Sequence, residues 1–208
     1  YFEAYEPVIF SALAKLFSKT ALEVCEGQQW DVDFEDRKDV TIPEYLKMIE
    51  YKTAVLVGAA MKMGGIVAGT TQSNCDLIYD FGLNLGIAFQ LQDDYLDAFG
   101  DPLTFGKQVG GDIIENKKTY LYLKALLGGT AQQKDQLLSL FAVQPDDSEE
   151  KIEQVKGIFI ATGADAETKK AIEDYTQRAF ETLEKLDISN DKKLVLRTFG
   201  ENLMQRNV

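Results

Sequence analysis

The sequence predicts an all-α protein. Apolar residues recur at helical spacing in one segment after another. Short breaks rich in Gly, Pro, Ser and Asn separate the segments, and no β-alternating run of useful length is left over. The chain has 208 residues, 45% of them hydrophobic, enough for one sizeable core or two small ones, and no short repeat is evident. It reads as a single helical domain across 1–208.

Residues 8–27 form the first amphipathic helix, with Phe10, Leu13, Leu16, Phe17, Leu22, Val24 and Cys25 at its apolar positions. Gly27-Gln28-Gln29-Trp30 ends it, and residues 31–39 form a charged loop. Thr41 is the next N-cap, with Glu44 at the capping-box position and Pro43 in the first turn. That helix passes Tyr45, Ile49, Lys52 and Leu56 and enters a small-residue tract, Gly58 to Gly69, suited to close packing or a kink. Ser73, with Asp76 three residues on, marks another N-cap. From Cys75 to Phe99 the apolar positions run nearly all round, which is the pattern of a central helix. A loop from Gly100 to Gly111 follows and carries Lys107. Further helices are predicted over 113–127, 131–142, 148–162, 164–186 and 191–206.

Composition narrows the chemistry. A net charge of −12 disfavours nucleic acid or an anionic membrane surface as a general partner. With no histidine in the chain, a zinc site, a Ser-His-Asp triad and a histidine base are all disfavoured. Cys25 and Cys75 have no neighbours at ligand spacing and read as reduced core residues of a cytoplasmic protein. No apolar run is long enough to span a membrane and no signal peptide is evident. The chain opens at Tyr1 inside a helical pattern, which reads as a fragment or a processed form.

The chemistry concentrates at the end of the central helix. Asp93, Asp94 and Asp97 are spaced three and four apart, so all three converge on one side, with Gln90 a turn upstream. Aspartate is a poor helix former and buried carboxylates repel one another, so either this face is solvated or a cation sits there. Oxygen ligands at this density suit Mg²⁺, which takes one or two carboxylates and completes its shell with water and phosphate oxygens. Lys107 stands in a glycine-flanked loop, Lys117 near the start of the next helix, and Lys52-Thr53 within an otherwise apolar helix. Taken singly they are surface or snorkelling lysines. Together with the carboxylates they suit a metal-bridged diphosphate: carboxylates alone would repel it, and lysines alone would bind it without metal.

The combination Lys52-Thr53, Phe89-Gln90-x-x-Asp93-Asp94-x-x-Asp97-x-x-Gly100-Asp101, Gly106-Lys107 and Gly110-Gly-Asp-Ile113 through Lys117 resembles the trans-isoprenyl diphosphate synthases, or polyprenyl synthetases. The likeness extends to Glu26-Gly-Gln28 and is densest between Lys52 and Leu121. It implies helices around a deep central cavity, a homodimer, and three Mg²⁺ ions held between two aspartate-rich motifs. The implied reaction joins an allylic diphosphate to isopentenyl diphosphate head to tail, releasing pyrophosphate, which is often taken as the proton acceptor. By motif match, Asp93 is a direct metal ligand, and Asp94 and Asp97 act directly or through bound water. Lys52, Lys107 and Lys117 surround the allylic diphosphate. Thr53 and Gln90 lie near the developing cation, and Phe89 lies beside the isopentenyl pocket.

The family's first aspartate-rich motif, its following arginines and its early Gly-Lys-x-x-Arg segment are absent from these residues, so the chain reads as N-terminally incomplete relative to the family and inactive by itself. The alternatives are a non-catalytic partner subunit of the same fold and an acidic helical interaction domain. A terpene cyclase is disfavoured because its Asn/Asp…Ser/Thr…Glu metal triad is not found.

Overall fold

The computed structural model describes residues 2–101, 109–145 and 148–205. After a short 3-10 turn at Phe2–Ala4, helix α1 runs from Pro7–Asp36. The expected stop at Gly27 and the charged loop after it do not occur. Glycine inside a helix costs about 1 kcal/mol relative to alanine, and here it is explained by close approach. A Cβ at Gly27 would stand 2.3 Å from the Lys52 backbone nitrogen. Gly27 lets α1 lie directly on the neighbouring backbone, and the helix carries its acidic residues onward from there.

Helix α2, Ile42–Ile49, begins as expected. Thr41 Oγ1 accepts from the Glu44 N–H at 3.4 Å, and the Glu44 carboxylate accepts from the Thr41 N–H at 2.9 Å. It continues into a π-helical turn, Glu50–Ala54, and then into α3, Val55–Val67. The irregularity thus falls on Lys52 and Thr53, upstream of the small-residue tract. Single π turns of this kind are frequent at functional sites. The tract itself provides close packing against α4: a Cβ at Gly82 would meet Gly58 Cα at 2.9 Å, and one at Gly86 would meet Ala54 Cα at 2.5 Å.

Helix α4, Gln72–Phe99, is the central element, packed chiefly between α3 and a later long helix. Its N-cap is Thr71, whose hydroxyl accepts from the Asn74 N–H at 3.2 Å, two residues before the expected Ser73. The single helix expected over 113–127 is divided into α5, Gly111–Ile114, and α6, Tyr120–Gly128, by a turn in which Asn116 takes φ 58°. Helices α7 (Ala131–Leu140), α8 (Glu149–Ala161), α9 (Ala164–Glu184) and α10 (Asn190–Met204) follow the expected order. Helix α9 is the long partner of α4. No strand occurs among the described residues, so the all-α prediction holds.

One buried cluster joins α1, α2, α4, α6 and α8 through residues such as Phe34, Tyr45, Leu91, Leu121 and Phe159. A second, formed by Phe81, Leu85, Ala179, Leu183 and Leu186, lies along the first half of α4. Cys75 is buried as expected, but Cys25 is exposed, because α1 turns that position outward. Among the described residues, no helix is long and apolar enough to cross a membrane.

Candidate active site

A cavity of about 400 Å³ opens between the last turns of α1, α2, the π turn, the second half of α4, and α5 with the turn that follows it. Helical spacing puts Gln90, Asp93, Asp94 and Asp97 along one wall. Asp31, Phe34 and Glu35 join the lining from the end of α1, the part that would have been missing had the helix stopped at Gly27. Lys52, Asp112, Glu115, Lys117 and Lys118 complete the polar lining.

A chain of hydrogen bonds orders the α4 wall. The Thr53 hydroxyl donates to Gln90 Oε1 at 2.9 Å, and Gln90 Nε2 donates to Asp94 Oδ1 at 2.8 Å. The Tyr45 hydroxyl donates to Asp94 Oδ2 at 2.6 Å. Both oxygens of Asp94 therefore have protein partners, and this carboxylate orients its neighbours. One turn on, Asp97 pins α5: its Oδ2 accepts from the Asp112 N–H at 2.9 Å, and its main-chain carbonyl accepts from the Gly110 N–H at 2.5 Å.

The electrostatics are those of a site lacking positive charge. Among the described residues, Asp31, Glu35, Asp93, Asp94, Asp97, Asp112 and Glu115 face only Lys52, Lys117 and Lys118. Burial, then the charge of Asp112, pushes Asp94 up to about 7, although the Tyr45 and Gln90 hydrogen bonds work the other way. The same two causes push Asp97 up to about 6. Burial, followed by the charge of Asp94, holds the Tyr45 phenol well above its ordinary value. Burial acts to lower the Lys117 ammonium, yet Asp112 and Glu115, each 3.0 Å away, carry it above the lysine range. Lys52 is held by Asp31 at 2.5 Å.

No three carboxylates among the described residues converge closely enough to enclose a cation by themselves. The donor set nevertheless fits Mg²⁺, an oxygen-seeking ion that keeps several water or phosphate ligands. Carboxylates raised by burial and by the charge of Asp112 are relieved by such a cation.

The structure brings together most of the predicted site residues. Lys52, Gln90, Asp93, Asp94, Asp97 and Lys117 line the cavity, and Thr53 touches it through Gln90. Phe89 is half-buried on α4 and is not part of the lining. Lys107 lies outside the described residues. Asp31, Glu35 and Tyr45 were not singled out from sequence. For Asp31 a signal existed: it stands four residues after Gly27, the spacing of one helical face. Tyr45 and Asp94 are 49 apart, and no local pattern joins them.

Comparisons with known proteins show the family. The polyprenyl synthetase family model matches residues 3–159. A short chain isoprenyl diphosphate synthase of Methanothermobacter thermautotrophicus is 35% identical, the match covering 90% of this chain and 56% of that protein. A geranylfarnesyl diphosphate synthase of Natronomonas pharaonis is 37% identical, over 90% and 52%. The chain thus spans about half the length of these curated relatives. The crystal structure of a geranylgeranyl pyrophosphate synthase superposes with a TM-score of 0.93 at 53% identity, over 100% of this chain and 64% of that one. That of the Corynebacterium glutamicum geranylgeranyl pyrophosphate synthase complexed with isoprenyl diphosphate and magnesium gives 0.88 at 27% identity, over 97% and 57%. An aspartate-lined cavity on this helical frame, matched over most of its length, places the chain in the polyprenyl synthetase family.

Proposed function

We propose that this chain carries one side of the metal–diphosphate site of a head-to-tail prenyltransferase, which joins an allylic diphosphate to isopentenyl diphosphate and releases pyrophosphate. The observation that carries the reading is the cavity itself: Asp93 and Asp97 beside Lys52 and Lys117, with a Thr53–Gln90–Asp94 chain along one wall. Bound Mg²⁺, three ions in the complete enzyme, would supply Lewis-acid neutralisation of the leaving pyrophosphate.

The residues divide the work. Asp93 and Asp97 would hold the metal. Asp94, with both oxygens engaged, acts through bound water and fixes the Gln90 amide. Lys52 and Lys117, with Lys107, meet the diphosphate charge. Thr53 and Gln90 present their oxygens to the carbon that becomes cationic, and Phe89 borders the isopentenyl pocket. The homodimer implied by the resemblance belongs to the same reading. In its favour, Phe17 and Leu22 on α1 expose apolar surface that a further helical layer or second subunit would cover.

The test is an assay of the full-length protein with both diphosphates and Mg²⁺, following pyrophosphate release and the prenyl product. Absence of a product longer by one isoprene unit rules the reading out. The 208 residues alone contain one aspartate-rich motif of the pair, so no turnover is expected from them. Robust turnover would refute that division of the site.

A further inference from the structure

The segment carrying Asp112 and Lys117 is held from behind by a lysine outside the cavity. Lys151 lies in the first turn of α8 and is 3% exposed. A buried ammonium needs acceptors for its protons. Lys151 Nζ donates to Asn116 Oδ1 at 2.6 Å, to the Val143 carbonyl at 2.9 Å and to the Ile114 carbonyl at 3.4 Å. The next residue, Ile152, packs on Gly110, where a Cβ would stand 2.7 Å from Ile152 Cδ1. The first turn of α8 thus clamps the segment Gly110–Lys117 near both ends, while Asp97 holds its front.

Lys151 is poorly placed for the stability of α8. A cation in the first turn opposes the helix dipole, and burying it carries a desolvation cost. Its position is explained by what it holds. Asn116 sits at φ 58°, a left-handed conformation that few residues other than glycine adopt and that asparagine tolerates. This reversal lets the Lys117 N–H bond back to the Asp112 carbonyl at 2.9 Å and brings the Lys117 ammonium to the Asp112 carboxylate.

We infer that Lys151 is a positioning residue for the diphosphate site: by fixing the turn at Asn116, it sets where Lys117 and Asp112 stand. This rests on reading the cavity as a metal–diphosphate site.

The experiment measures binding of pyrophosphate with Mg²⁺ to the full-length protein by calorimetry. Lys151→Met should weaken binding by about tenfold or more. Because Lys151 acts through Lys117, the double variant with Lys117→Ala should bind close to Lys117→Ala alone. In steady state, Lys151→Met should raise KM for the allylic diphosphate more than it lowers kcat. Asn116→Gly keeps the left-handed backbone but deletes the acceptor, and should weaken binding several-fold even if Lys151→Met fails to fold. Wild-type affinity in Asn116→Gly, or fully additive losses in the double variant, overturns the inference. If the wild type binds no Mg²⁺–pyrophosphate, the reading of the cavity falls and takes this inference with it. If the wild type binds and the variants match it, only the role of Lys151 falls.

Discussion

The two halves of α4 solve opposite problems. Its first half carries Phe81 and Leu85, both fully buried, against Ala179 and Leu183 of α9, while Gly82 and Gly86 admit the backbones of α3 and the π turn. The apolar neighbours there favour the folded state. Its second half keeps the helical backbone but turns Asp93, Asp94 and Asp97 toward a cavity already crowded with carboxylates, and two of them are pushed upward by burial and by Asp112. One half is optimised for packing. The other stores repulsion that a cation and a diphosphate would relieve, the trade expected where function opposes stability.

The contrast can be broken at either end. Phe81→Ala should be the most damaging to stability, about 3–5 kcal/mol by the loss of a buried ring and the cavity left behind. Affinity for Mg²⁺–pyrophosphate should change little in the fraction that remains folded. Urea denaturation beside calorimetry checks both. At the other end, Asp93→Ala should cost far less stability than Phe81→Ala but cut kcat of the full-length protein about 10²–10³-fold, as for removal of one group that stabilises developing charge. A destabilised Asp93→Ala with normal turnover would reverse the assignment of the two halves.

Asp94 sharpens the comparison through pH. Folded, it keeps its proton to about pH 7, whereas unfolded it loses it near the ordinary carboxylate value. Between those points the folded state binds more protons, so stability falls as pH rises and the full penalty stands above about 7. Asp94→Asn should therefore stabilise the metal-free protein above neutrality, with the difference vanishing toward about pH 4. Parallel stability–pH curves for variant and wild type would contradict the stored repulsion. The smallest effect is expected from Tyr45→Phe. Losing its hydrogen bond should cost about 1 kcal/mol and move the Asp94 titration further upward, which carboxyl-carbon NMR would register.

Much of this was legible in the chain. The period of the apolar residues gave the helices, the Thr41–Glu44 capping box gave the start of α2, and the spacing of Asp93, Asp94 and Asp97 gave a shared face. The errors share a cause. Local sequence makes Gly27 a helix stop, residues 113–127 one helix and Cys25 a core residue, because their immediate neighbours in sequence carry no trace of what packs on them. Gly27 answers to the Lys52 backbone, Asn116 to Lys151, and Cys25 to the direction in which a longer α1 faces.

The sequence alone determined the helical class, the order of the elements and the acidic face, since these depend on local spacing and intrinsic preference. The tertiary structure decided that α1 continues far enough to bring Asp31 into the cavity that Asp93 lines, that the Lys52 turn is π-helical, and that Tyr45 reaches Asp94. It also decided which carboxylates are frustrated. Burial and the approach of charges from separate helices are properties of the packed chain, and no local pattern encodes them.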